Sequence, residues 1–249
     1  MHVLTVYAHP NPKSFCHALL ETFVSGLAEA GHTSEVVDLY AIHFDPVFGP
    51  RDYPSLMDPN FPVSVLEHMG LRELAIRHAG GPLLRFLAAR YLRGKDLPTI
   101  ARLVRERMPR DVREQQAKLA RAQGLAFVAP VYWLGFPAIL KGWFERVFTP
   151  GFAYSLSAQG WRTGDVNGRI PLLKHEKALV MSTTLFRREN YEAGLAASMT
   201  QTVDEFGLRY PGVKRVEHVY FYGVPVVDDS IRREYLEQAH RLGTGFAAA

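Results

Sequence analysis

Short apolar runs alternate along the chain with longer segments in which apolar residues recur at helical spacing. Five of these runs have the length and apolar character of buried strands, and they cover residues 3–8, 34–38, 124–129, 177–182 and 216–222. Amphipathic segments at about 14–30, 110–122, 137–147 and 190–206, and a last one near the end of the chain, predict helices between and after them. This alternation predicts an α/β fold with a parallel sheet covered by helices on both faces.

The five-strand count favours the strand order 2-1-3-4-5, because right-handed crossovers in an open sheet leave few topologies. In this order the ligand site lies where the first and third strands part. The loops that begin at His9 and Pro130 are then expected to lie side by side.

Polar residues and glycines predict where the helices begin and end. Ser14 is a suitable N-cap for the first helix, and Gly31 is expected to end it. Asp228 or Asp229 is expected to cap the last helix, and Gly243 to end it. Residues 40–62 and 149–171 predict long connections, the first rich in Pro, Asp, Asn and Gly.

Residues 66–109 interleave leucine with arginine and predict two or three short amphipathic helices. Between residues 71 and 113 eleven Lys/Arg face four acids, so this segment carries +7 while the whole chain carries +4. Three interpretations are open: an arginine-rich solvated face over a leucine core, a lid or dimer contact, or a surface for an anionic membrane or nucleic acid. No nucleic-acid-binding motif accompanies the charge, so nucleic acid is not an expected partner.

Composition narrows the class of protein. A chain of 249 residues with 47% hydrophobic residues suits one large α/β domain. The single cysteine, Cys16, excludes an internal disulfide and favours a cytoplasmic location. No signal peptide or membrane span is predicted. The ten histidines show no ligand spacing, so no metal is expected.

The candidate chemistry begins at the loop after the third strand. This loop carries Tyr132, Trp133, Gly135 and Phe136, and the following helix starts at Pro137. A flat aromatic loop at the carboxyl end of a buried strand predicts a site for a planar cofactor. The alternative is a purely structural role, in which these aromatic residues only fill the core.

A second candidate site is the loop before the first helix. A helix N-terminus with free N–H groups binds anions, and Ser14 adds a hydroxyl there. The chain has neither a GxGxxG fingerprint nor a P-loop, so a dinucleotide-binding Rossmann site and an NTPase site are not predicted.

Residues 130–147 resemble the flavin-stacking segment of the NAD(P)H:quinone oxidoreductases that have a flavodoxin-like fold. The match runs through Trp133, Gly135, Pro137-Ala138, Leu140-Lys141-Gly142-Trp143 and Glu145-Arg146-Val147. The resemblance implies a single flavodoxin-like domain over residues 1–249, with a basic helical insertion at about 66–109 that compact members lack.

The resemblance also implies the cofactor and its contacts. FAD is expected rather than FMN, because the first loop resembles the dinucleotide-binding type. Positions that match His9, Ser14 and Phe15 hold the phosphates and the adenosine side. The remaining expected flavin contacts are Pro130, Val131, Tyr132, Trp133, Leu134, Thr183 and Thr184.

Three residues are implied to take part in catalysis. Trp133 lines the space over the flavin, which NAD(P)H and the acceptor occupy in turn. Tyr191 stands where the family has a catalytic tyrosine, whose hydroxyl stabilises the reduced flavin. Tyr154 is implied to reach the active site of a partner subunit, so a homodimer is expected.

The sequence departs from the family pattern at several positions. Leu185 and Phe186 replace a Gly-Gly pair, Leu156 replaces a second tyrosine, and the family's partner histidine falls near Ala197 and is missing. A buried Tyr191 with no chemical role is therefore the alternative for that residue.

Together these features predict a cytoplasmic, homodimeric flavoprotein that reduces a small quinone-like aromatic acceptor with NAD(P)H by two-electron, ping-pong hydride transfer. One alternative is a specialised reductase of a nitro, azo or biosynthetic substrate. Another is a flavin-binding regulatory subunit that docks on a partner protein through the basic insertion.

Overall fold

Seven strands are present in the computed structural model, which describes residues 1–58 and 60–247. In chain order they are β1 (His2–Tyr7), β2 (Thr33–Asp38), β3 (Gly124–Pro130), β4 (Tyr154–Leu156), β5 (Arg169–Pro171), β6 (Lys177–Thr183) and β7 (Arg215–Phe221). Five of them form one parallel sheet in the order β2-β1-β3-β6-β7. This is the predicted order 2-1-3-4-5, because β6 and β7 are the predicted fourth and fifth strands.

The helices differ widely in length. The α-helices are α1 (Phe15–Glu29), α2 (Val63–His68), α3 (Leu71–Arg77), α4 (Pro82–Leu92), α5 (Leu97–Arg105), α6 (Arg110–Arg121), α7 (Ala138–Val147), α8 (Ala158–Thr163), α9 (Arg188–Asn190), α10 (Ala196–Met199) and α11 (Asp229–Thr244). Short 3-10 turns cover Pro50–Leu56 and Val166–Gly168, and wider π-type turns cover Tyr191–Leu195 and Thr200–Arg209. Among the described residues, no helix has both the length and the apolar character that a membrane crossing requires.

The chain divides into two units. The first comprises residues 1–47, 117–145 and 173–247 and contains the parallel sheet. The second comprises residues 48–58, 60–116 and 146–172 and contains α2 to α5 and the antiparallel pair β4-β5.

In the first unit every residue of β3 and β6 is buried, as expected for central parallel strands covered on both faces. One face packs on α1 and α11, where Ala126 and Val128 join the same cluster as Phe23. On the other face Phe127 contacts Trp143 of α7, with ring centroids 6.1 Å apart. The alternation along β3 therefore places helices on both faces, as the sequence predicts.

The helix caps follow the sequence with one exception. Ser14 caps α1, Gly31 follows it with φ +73°, and Asp228 caps α11. The predicted stop at Gly243 is wrong, because α11 continues to Thr244. A Cβ at Gly243 would lie 2.3 Å from the carbonyl oxygen of Phe23, so this glycine lets α11 approach α1 closely.

In the second unit the basic segment contains three whole helices, α3 to α5, as expected, and the last residues of α2, which begins before it at Val63. Their buried leucines and isoleucine share a small core with Met57: Leu66, Leu71, Leu92 and Ile100. The buried leucines of this segment therefore form a packed core. Both predicted long connections contain short elements, a 3-10 turn in the first and β4, α8 and β5 in the second.

Candidate functional site

The carboxyl ends of β1, β3 and β6 lie side by side at one edge of the sheet in the first unit. Ala8 donates its N–H to the carbonyl of Val128 over 3.0 Å, and Val131 donates to the carbonyl of Thr183 over 2.8 Å. The register pairs Pro130 with Thr183. The loops that carry most of the predicted cofactor contacts therefore meet at one edge, where open α/β sheets bind ligands.

The first of these loops offers hydrogen-bond donors to an anion. Ser14 Oγ accepts from the N–H of His17 over 3.2 Å, which fixes the start of α1. The N–H of Asn11 donates to Nδ1 of His9 over 3.0 Å. Nδ1 also lies 3.2 Å from the carbonyl oxygen of Asn11, so the ring is held against this turn. Burial lowers the pKa of His9, which favours the neutral ring. The His9 ring and the first N–H groups of α1 together suit a phosphate.

The loop after β3 ends in a strained turn. Tyr132 and Gly135 exchange backbone hydrogen bonds of 3.0 and 3.1 Å. Between them Trp133 has φ +48° and Leu134 has φ +63°, the sign pattern of a type I′ turn. Such turns usually carry Gly or Asn, because a Cβ in this region costs about 1–2 kcal/mol per residue. The Trp133 side chain is 100% exposed, so burial does not offset that cost, and this combination is typical of a binding site.

Residues further along the same motif support the turn from inside the first unit. Phe136 stacks on Phe144 of α7, with ring centroids 5.6 Å apart. Trp143 is fully buried. A Cβ at Gly142 would lie 2.1 Å from the carbonyl oxygen of Pro46, so only glycine fits there. Gly142 and Trp143 therefore have structural roles, while Trp133 is the exposed residue of the motif.

At the end of β6 the two threonines face inward. The Thr184 hydroxyl donates to the carbonyl of Phe186 over 2.7 Å, and the N–H of Gly223 donates to that same carbonyl over 3.0 Å. This segment thus stays bonded to the turn after β7. Leu185 and Phe186 are 60% and 46% exposed, so large apolar side chains stand at the edge where the resembled family has glycine. The backbone here is bonded as well, since the N–H of Thr184 donates to the carbonyl of Phe221 over 3.0 Å, so a flavin contact at Thr183 and Thr184 stays a prediction.

Tyr191 is enclosed by the first unit. It is 2% exposed, and its ring centroid lies 5.0 Å from that of Tyr220 and 5.4 Å from that of Tyr222. Burial raises the pKa of the Tyr191 phenol, against a smaller opposite effect of its hydrogen bond with Thr184. These surroundings match the buried alternative. The catalytic role of Tyr191 stays a prediction, because a direct flavin contact requires its neighbours to move.

A polar network that the sequence analysis missed lies behind the edge. Nε2 of His218 is 2.9 Å from Ser182 Oγ, and its Nδ1 is 3.0 Å from a carboxylate oxygen of Asp204. The His218 ring also stacks on Tyr220 at 4.2 Å. These residues come from β6, β7 and the helical segment after α10, so no short motif links them. The period-two spacing of His218, Tyr220 and Tyr222 is the signal that could have placed them on one face of β7.

Tyr154 begins β4 in the second unit and lines a cavity of about 910 Å³ there. The wall is mostly apolar and includes Phe61 and Trp161, whose ring centroids are 4.6 Å apart. Its charged or titratable members other than tyrosine are Arg51, His78 and Arg107, so no acidic residue lines it. A cavity of this size and character suits an aromatic molecule.

The buried Arg146 and the half-buried Arg105 fix the segment that forms one wall of this cavity. Arg146 donates to Asp52 over 2.8 Å and to Asp111 over 2.7 Å. Burial alone would lower the pKa of Arg146, but the two carboxylates raise it. Arg105 donates to the backbone carbonyls of residues 55, 57 and 150. Arg146, which helped to carry the family resemblance, therefore has a structural role.

The donors at the sheet edge fit a flavin nucleotide. The exposed Trp133 indole can stack on a planar ring, and the backbone of residues 130–134 can bond the polar edge of that ring. The N-terminus of α1 can hold phosphate. Within the described residues no group of three or more His, Cys, Asp or Glu side chains could hold a metal ion.

Comparisons with known proteins agree with this geometry. Residues 1–242 match the sequence model of a family described as having the flavodoxin-like fold. The chain is 32% identical to the NAD(P)H:quinone oxidoreductase from Methanothermobacter marburgensis; the alignment covers 100% of this chain and 97% of that one, with a TM-score of 0.69.

Two mammalian proteins are also similar. NAD(P)H dehydrogenase [quinone] 1 of Cavia porcellus is 29% identical over 94% of this chain and 72% of its own length. The human ribosyldihydronicotinamide dehydrogenase [quinone] is 31% identical over 69% of this chain. The chain spans 61% of the length of that human relative.

Proposed function

Because the chain belongs to the family with the flavodoxin-like fold, and within it to the NAD(P)H:quinone oxidoreductases, we propose that this oxidoreductase uses a flavin and NAD(P)H to reduce quinone-like aromatic acceptors. The two substrates use the same face of the site in turn, so the kinetics are ping-pong and the electrons move as a pair. The observation that carries the proposal is the fully exposed Trp133, held on a left-handed turn at the edge where β1 and β3 end.

Different residues at the edge would bind the ring system and the phosphates of the cofactor. Trp133 and the backbone from Pro130 to Leu134 would orient the ring system, while His9 and the start of α1 at Ser14 and Phe15 would hold the phosphates. The flavin, when bound, supplies the redox chemistry by taking a hydride from NAD(P)H and passing the electrons on. The protein supplies orientation and donors placed before the reaction, which is where most electrostatic stabilisation arises.

We propose FAD as the cofactor rather than FMN. The support is the loop from His9 to Phe15, which offers donors on the phosphate side and continues toward Tyr235, whose ring centroid lies 6.4 Å from that of Phe15. The mass of the cofactor released by heat or acid tests this choice. Recovery of FMN alone would remove the adenosine-side roles of these residues and leave the ring contacts unchanged.

Tyr191 is kept as a proposed hydrogen-bond donor to the cofactor. Its raised pKa keeps the hydroxyl protonated at neutral pH, so it can donate if the cofactor comes within reach. Tyr191→Phe removes only the hydroxyl. A lowered kcat with an unchanged KM for the acceptor would support this role, and unchanged kcat would refute it.

Tyr154 and its cavity are the proposed acceptor-binding surface, contributed to the flavin of a partner subunit in a homodimer. The apolar wall and the aromatic pair Phe61 and Trp161 suit a flat acceptor. The reaction is proposed to occur in the cytoplasm, where Cys16, which is buried and unpaired, stays reduced.

Steady-state kinetics test the proposed activity. Purified protein, supplied with NADH or NADPH and a soluble naphthoquinone, is expected to give parallel double-reciprocal plots as the quinone concentration is varied. Intersecting plots would contradict a ping-pong mechanism in which NAD(P)H and the quinone occupy the same face of the site in turn. If no quinone is reduced faster than NAD(P)H is oxidised by oxygen alone, quinones are not the acceptors of this protein.

A specialised nitro, azo or biosynthetic-substrate reductase is a second candidate, favoured by one observation. Leu185 and Phe186 place two exposed apolar side chains at the site edge where relatives of the resembled type have glycine. Leu185→Gly/Phe186→Gly distinguishes the two candidates: a gain in quinone turnover would show that the native side chains favour another substrate shape.

A further inference from the structure

Helix α4 in the second unit exposes an unusually apolar face. Five large side chains on this helix are between 49% and 70% exposed: Leu83, Leu84, Phe86, Leu87 and Tyr91. At 3.6 residues per turn they share an arc of about 160°. We refer to these five residues as the α4 face.

The opposite side of the helix is the packed side. Leu92, the buried residue of α4, points away from the α4 face and joins the small core with Leu71 and Ile100. The helix is therefore held on one side and presents its apolar residues outward on the other. A patch of this kind marks an interaction surface, because large apolar side chains are seldom clustered in contact with water.

The charge around the α4 face is of one sign. Residues 74–95 contain five Lys/Arg, at positions 77, 85, 90, 93 and 95, and no Asp or Glu. Arg90 lies within the apolar arc and Arg93 at its edge. Lys95 places its Nζ 4.5 Å from the centroid of the Tyr91 ring, so a positive charge borders the apolar surface.

An occupant must therefore accept apolar side chains together with the positive charges of Arg90, Arg93 and Lys95. A second copy of the chain meeting this face would oppose these cations with the same cations of its own, and like charges across an interface disfavour it. An anionic lipid surface satisfies both needs, since leucine and phenylalanine enter the acyl boundary while the long arginine and lysine side chains reach the phosphates.

We propose that the α4 face docks on an anionic phospholipid membrane, with the helix lying along its surface. This surface places an enzyme next to acceptors dissolved in the lipid, but the proposal does not depend on the reaction and stands on α4 alone.

Co-sedimentation of the full chain with vesicles tests the proposal. The protein is expected to pellet with vesicles of phosphatidylcholine and phosphatidylglycerol, and to stay in solution with phosphatidylcholine alone. High salt should weaken the binding several-fold, because it screens the charge contribution. Binding to neither vesicle, or equal binding to both, would overturn the assignment.

Matched variants separate the apolar contribution from general changes of the surface. Leu83→Ser/Phe86→Ser/Leu87→Ser should weaken vesicle binding about tenfold or more. The control Ile42→Ser/Val47→Ser replaces side chains that are 48% and 68% exposed elsewhere, and should bind as the parent does. Circular dichroism and the thermal midpoint establish that each variant is folded.

A second pair of variants tests the charges. Arg90→Gln/Arg93→Gln should weaken binding about tenfold or more at low salt, since each basic residue near an anionic surface contributes to the affinity. Lys214→Gln/Arg241→Gln removes two exposed cations of the first unit and should have little effect. Equal losses in both pairs would mean that net charge alone drives binding, which refutes a role for α4.

Sedimentation velocity checks the competing occupant. If the triple serine variant has a smaller mass than the parent, a second copy covers the α4 face and the membrane proposal fails. An unchanged mass together with lost vesicle binding supports it.

Discussion

Replacing Trp133 by glycine should separate function from stability. The residue lies in the left-handed region with φ +48°, which costs about 1–2 kcal/mol for a residue with a Cβ. Its side chain is fully exposed, so the substitution removes no buried apolar contact. Glycine adds about 0.5–1 kcal/mol of entropy to the unfolded chain, which offsets part of the relief. The apoprotein of Trp133→Gly should therefore be as stable as the parent or up to about 1.5 kcal/mol more stable.

Flavin binding should respond in the opposite direction. A stacked aromatic contact contributes about 0.5–1.5 kcal/mol, and the apolar area it buries adds to this at about 25 cal/mol per Å², so its loss should raise the Kd about tenfold or more. Urea denaturation of the apoprotein measures the first effect, and titration of flavin fluorescence measures the second. The matched control is Trp143→Ala, which empties a fully buried site and should cost about 3–5 kcal/mol of stability.

The two results for Trp133→Gly can each refute the reasoning. A loss of more than about 1 kcal/mol in the apoprotein would show that the indole packs against the protein, contrary to its exposure. An unchanged flavin affinity would show that Trp133 does not stack on the flavin, so the strained turn would serve another purpose.

Further predictions concern the framework of both units. Gly142→Ala places a Cβ 2.1 Å from the carbonyl oxygen of Pro46, so urea denaturation should show a loss of about 1–3 kcal/mol, and an unchanged midpoint would contradict the close approach. Asp52→Ala removes one of the two carboxylate partners of the buried Arg146, which keeps its bond to Asp111, so the same assay should show a loss of about 1–3 kcal/mol; an unchanged midpoint would refute the pair. Burial would raise the pKa of Asp111, but the hydrogen bond and charge of Arg146 lower it below its usual value. Its contribution to stability is therefore complete above about pH 4, the usual unfolded pKa, and is lost as the pH falls through the lowered folded pKa. Asp111→Asn should flatten the decline of unfolding free energy below pH 4, and a decline as steep as that of the parent would contradict the sign.

The sheet could be predicted from the sequence because its signals are local. Each strand is a short apolar run bounded by polar residues, and alternation with helices then restricts the order of strands. The resemblance of residues 130–147 located the edge that carries Trp133, because the loop and helix follow one another in the chain.

Other features depend on contacts between distant residues and were missed or misassigned. Gly243 looked like a helix end, but its lack of a side chain serves the close contact with α1 at Phe23. The segment predicted as one helix at 190–206 is divided by wider turns, with Gly194 at φ +141°. The network around His218 joins separate elements, so the sequence spacing relates His218 to Tyr220 but not to Ser182 or Asp204.

The central claim is that a flavin stacks on Trp133 and accepts electrons from NAD(P)H, and the anaerobic visible absorption spectrum of the purified protein tests it most directly. The account predicts a yellow protein whose visible absorption band bleaches when NADH or NADPH is added and returns when a quinone follows. A colourless protein that also fails to take up added FAD or FMN would contradict it.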